Sequence, residues 1–154
     1  MAKKPHANKS MKKNKRLRKT IRRSGNVSND RKARIVQTFL EMLNTVKLYH
    51  WKTRSFAQHK ATDELYAKLN ENIDTFVEIL LGKDESRVKM VEKRSRLIDS
   101  ENTADFKNRI YEYREFLIDI STYFDTKRDN DLLNVRDEIL GHINQFLYLM
   151  TFDK

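Results

Sequence analysis

A chain of 154 residues can form one domain with a sizeable core, and three glycines with a single proline supply little of the turn punctuation that a strand-rich fold needs. The absence of cysteine excludes disulfide staples, thiolate metal sites and cysteine nucleophiles, and argues against a small secreted scaffold. The net charge of +10 is uneven: residues 1–29 hold eleven Lys or Arg and no acidic residue, leaving 21 basic against 22 acidic residues in 30–154.

The first segment, 1–29, is therefore a basic N-terminal arm, densest at Lys12, Lys13, Lys15, Arg16, Arg18, Lys19, Arg22 and Arg23. It has too little apolar surface to offset the entropy of ordering and is expected to be disordered alone. Such a cluster fits nucleic acid or another polyanion, held through residues 1–24, because each phosphate neutralised releases condensed counterions. A localisation signal, a tether to an acidic protein surface and a solubilising tail carry the same pattern.

Four helical stretches follow. The first spans about 30–51, with Ile35, Phe39, Met42, Val46 and His50 at steps of three or four and Ser28 or Asn29 as its cap. The second begins at Ser55, where Ser-x-x-Gln to Gln58 is a capping-box pattern, and runs to Leu81 before a stop at Gly82. Its core face is Leu65, Leu69, Ile73, Phe76 and Leu80. The third, about 102–126, carries Phe106, Ile110, Tyr113, Leu117, Ile120 and Phe124; the fourth, about 130–152, carries Leu132, Val135, Ile139, Ile143, Phe146 and Met150. Short links make the first two and the last two antiparallel hairpins, while residues 83–101 form a crossover whose Val88, Met90, Val91, Leu97 and Ile98 can make a short helix. Two hairpins joined by one long crossover is the ferritin-like topology, so the expected fold is all-α, a four-helix bundle of that class over 30–154. No apolar run reaches the roughly 20 residues that span a bilayer, and no apolar signal segment follows the N-terminal charges, so an intracellular, non-secreted protein is expected.

The second helix bears a further stripe beside its core face: His59, Asp63, Tyr66, Asn70, Asp74 and Glu78. His59 with Asp63, and Asp74 with Glu78, are i,i+4 pairs able to converge on one ion, and carboxylate with imidazole suits iron, zinc or manganese. Acid pairs on helices are more often solvated faces, and His50 on an apolar face is equally a satisfied core residue. His59 and Asp74 stand roughly 22 Å apart along the helix, so one subunit cannot close such a site. Two copies of the second helix packed antiparallel about a two-fold axis bring the ends together twice, with His50 on the His59 side. There is no glycine-rich phosphate loop and no nucleophile elbow.

At these residues a family resemblance emerges. His50-Trp51, then His59-Lys-Ala-Thr-Asp63-Glu-Leu-Tyr66, then Asp74-Thr-Phe-Val-Glu78, resemble the signature of the Dps mini-ferritins, and Leu140-Gly-His142-Ile-Asn-Gln-Phe-Leu resembles their last helix. The resemblance implies a ferritin-like bundle, a two-fold dimer within a hollow dodecamer, and ferrous iron bound and oxidised between subunits. His50, His59 and Asp63 would come from one copy and Asp74 and Glu78 from its mate, with Trp51 nearby. By analogy with lysine-rich family tails, the arm would bind DNA. His50 and His59 are nine residues apart, a shorter interval than the family's usual one. The segments KLYHWKT and QHKATDELY also resemble an uncharacterised ferritin-like group of large DNA viruses, which implies a competing role: a non-enzymatic virion structural or genome-packaging protein, associated with capsid proteins and tethered by its arm.

Overall fold

A computed structural model of the chain describes residues 27–95 and 97–152. The eight basic residues singled out in the arm, Lys12 to Arg23, lie outside the described residues. Four helices make up the rest: α1 (Asn29–Lys52), α2 (Phe56–Gly82), α3 (Thr103–Asp119) and α4 (Asn130–Leu149), with a 3-10 turn at Ile120–Tyr123. There is no strand among the described residues.

The helix starts follow the side chains that cap them. Ser28 Oγ accepts from the Arg31 amide and Asn102 Oδ1 from the Asp105 amide, each satisfying one of the donors that a first turn leaves unpaired. At α2 only half of the expected capping box forms. Ser55 Oγ accepts from the Gln58 amide at 3.3 Å, but the Gln58 side chain turns inward and accepts from the Tyr49 hydroxyl at 2.6 Å. α2 ends at Gly82, within a residue of the expected stop, but the left-handed residue beyond it is Glu85, at φ 56°, and the Ser86 amide donates to the Leu81 carbonyl.

α1 and α2 form one antiparallel hairpin across a three-residue link, and α3 and α4 form the other. Between them the crossover runs the length of α1. Near the start of α1, Asn29 and Lys89 exchange two hydrogen bonds, and Lys32 holds Asp84 and Ser86. Near its end, Lys52 holds Asp99. The chain thus enters α3 at the same end of the bundle where α1 finishes, so α3 runs antiparallel to α1 and α4 antiparallel to α2. The helix allowed for in the crossover is absent among its described residues, which form turns, bends and irregular backbone. Val91 and Leu97 are exposed and make no apolar stripe to bury.

The core is the set of apolar positions spaced three and four apart, buried from all four helices. Phe39 meets Phe76 and Phe116 edge-on at 5.3 and 6.0 Å in one layer, and Tyr49 stacks on Phe106 at 3.9 Å in another. Val135, expected in the core, is half-buried. No helix among the described residues is long and apolar enough to cross a membrane.

Candidate metal centre

The link between α1 and α2 places the last turn of one helix against the first turns of the next. His50, 7% exposed, and His59, exposed, stack with ring centroids 3.9 Å apart and 24° between planes. Their anchoring is reciprocal. His50 Nδ1 lies 3.0 Å from the His59 carbonyl oxygen, and His59 Nδ1 lies 3.1 Å from the His50 carbonyl oxygen. A carbonyl only accepts, so each Nδ1 carries its hydrogen and donates, leaving the Nε2 lone pair of both rings for another partner. Thr62 Oγ1, 3.2 Å from His50 Nδ1, reinforces this, because its own hydroxyl donates to the carbonyls of Gln58 and His59.

Asp63 completes this end of the stripe. Its Oδ1 lies 3.8 Å from His50 Nε2, too long for a hydrogen bond but within the span of two ligands that each stand about 2.1 Å from a shared ion. Anchoring one imidazole nitrogen on a backbone carbonyl while the other stays open is how proteins orient histidine ligands. Two residues that the sequence pattern did not single out also belong here. Thr62 is hidden between the His59 and Asp63 spacings on the core side of α2, and Lys47, one turn before His50, reaches to 3.7 Å from Asp63 Oδ1. A helical lysine ordinarily signals only a solvated face.

Asp74 and Glu78 are exposed on α2, eleven and fifteen residues beyond Asp63, or roughly 16 and 22 Å along the axis. Within one chain the structure therefore sets His50 against both His59 and Asp63 and leaves Asp74 and Glu78 apart from them. Among the described residues no group of three or more such side chains stands ready to hold a metal ion. His142 is elsewhere, lining the seam between α2 and α4 beside Glu64 and Lys68. Trp51 is 69% exposed, its ring within reach of the Lys47 ammonium at 5.7 Å.

Fold and site together define a helical bundle with one long crossover and an anchored imidazole pair at the end of its first hairpin. The chain belongs to the family of unknown function DUF5856, whose model matches residues 50–150, a stretch that begins at His50 and takes in the other four candidate ligands. No curated protein and no solved structure matches it.

Proposed function

We propose that the protein is a Dps-like, ferritin-class protein that binds ferrous iron as its substrate and oxidises it at a site shared between two copies of the chain. His50, His59 and Asp63 of one copy would face Asp74 and Glu78 of the other. Each ferrous ion gives up one electron to dioxygen or a peroxide, and the carboxylates favour the harder ferric product. The observation that carries this reading is the reciprocal anchoring of the two imidazoles, which engages the Nδ1–H of each ring and leaves both Nε2 atoms open, that of His50 3.8 Å from Asp63 Oδ1. The outward exposure of Asp74 and Glu78 supports it, since an antiparallel copy of α2 would need them accessible. The basic arm would hold nucleic acid against the outside of such an assembly, with contacts multiplied by the number of copies.

Iron oxidation tests the reading. At stoichiometric ferrous iron, the double variant Asp74→Ala/Glu78→Ala should form ferric iron at least about tenfold more slowly than wild type, since losing even a partner that only orients a ligand costs roughly 10–100-fold. Equal rates would sink the proposal. A second reading, a non-enzymatic virion structural or genome-packaging protein, is favoured by the Lys47 contact to Asp63, which occupies a candidate ligand with an internal cation. It predicts those equal rates.

A further inference from the structure

The Lys47 ammonium approaches the same carboxylate oxygen, Asp63 Oδ1, that faces His50 Nε2. It also lies 4.8 Å from the centre of the Tyr66 ring and 5.7 Å from that of Trp51, so two aromatic faces and a carboxylate enclose one cation. At 3.7 Å the pair with Asp63 is longer than a charge-assisted hydrogen bond of about 2.8 Å, and Asp63 is exposed. Such a pair is weak and readily displaced.

We infer that Lys47 is a resident competitor for the metal position, an internal cation that neutralises Asp63 until a divalent ion displaces it. The inference deepens the proposed function and rests on its metal-binding half. The aromatic faces give the ammonium somewhere to remain once it leaves Asp63, so the exchange needs only a rotation of the lysine side chain. A divalent ion arriving at Asp63 meets a positive charge a few ångströms away, and its affinity falls accordingly. The site would then load only when the metal is abundant, and its threshold is set by a residue that need not touch the metal.

Cobalt(II), followed by calorimetry and by its visible absorbance, is a suitable probe with the full chain. Lys47→Met keeps a flexible stem against Tyr66 and removes the charge, while Lys47→Arg keeps the charge. Lys47→Met should bind cobalt on the order of tenfold more tightly than wild type, and Lys47→Arg no more tightly. Damage to the fold cannot produce a gain in affinity, and adding Asp63→Ala to Lys47→Met should abolish that gain. If Lys47→Met bound cobalt no better than wild type while His50→Ala bound it worse, the metal site would stand and the role given to Lys47 would fall. Failure of all these proteins to bind cobalt at millimolar concentration would overturn both.

Discussion

Lys32 shows how a single polar residue can hold this fold together away from the candidate site. Its side chain is buried, 4% exposed, and its ammonium donates to Asp84 Oδ2 at 2.6 Å and to Ser86 Oγ at 2.8 Å, fastening the start of the crossover to α1. Burial alone would raise the Asp84 carboxyl, but the hydrogen bonds from Lys32 and Ser86 and the lysine charge outweigh it and hold the group below the usual carboxylate range. A carboxyl depressed in the folded state contributes stability that is complete above its unfolded value of about 4 and is lost as pH falls through the folded value. Asp84→Asn removes one charge of the pair and leaves Lys32 buried without a counter-ion, a change that costs about 3 kcal/mol at neutral pH. Urea unfolding should show that gap at pH 7 and show it narrowing as the pH falls below about 4, where wild type begins to lose the same contribution. A gap independent of pH would refute the account.

At the scale of elements, what the sequence made legible was what periodicity controls. Ile35, Phe39, Met42 and Val46 on α1, and Leu65 to Leu80 on α2, are buried as their spacing demands, because a 3.6-residue repeat leaves one face for the core. Where local polar groups decide, the pattern misled. The apolar steps of α3 continue through Ile120 and Phe124, both buried, but the helix ends at Asp119. The Ser121 and Thr122 hydroxyls donate to the carbonyls of Ile118 and Asp119 and tighten the chain into a 3-10 turn. At the candidate site, spacing indicated that His59 and Asp63 share a face and that His50 belongs with them. The carbonyl anchoring, Thr62 and Lys47 depend on how two helices meet, which no single-helix repeat encodes. The arm is the element for which charge alone speaks. Deleting residues 1–24 should abolish DNA retention in a gel, and raising salt from about 50 to 200 mM should weaken wild-type binding by several orders of magnitude. Retention that survived both treatments would move nucleic-acid binding away from the arm.

For the whole molecule, the proposed iron site makes a demand that no single chain can meet, and mixed assemblies test it directly. In an antiparallel pair of α2 helices, each site takes its imidazoles from one copy and Asp74 and Glu78 from the other. Consider one variant that lacks the histidines, His50→Ala/His59→Ala, and another that lacks the acids, Asp74→Ala/Glu78→Ala. Alone, each forms dimers with two damaged sites. In a mixed dimer, one site combines both defects, while the other joins the intact histidines of the second variant to the intact acids of the first. Refolded together in equal amounts, half of the dimers are mixed and half of their sites are whole, so iron oxidation should return to roughly a quarter of the wild-type rate. A site contained within one subunit would recover nothing on mixing, because each chain would keep its own defect. The fraction restored therefore distinguishes a shared site from a private one, and light scattering on the same mixture reports whether dimers or larger assemblies carry it.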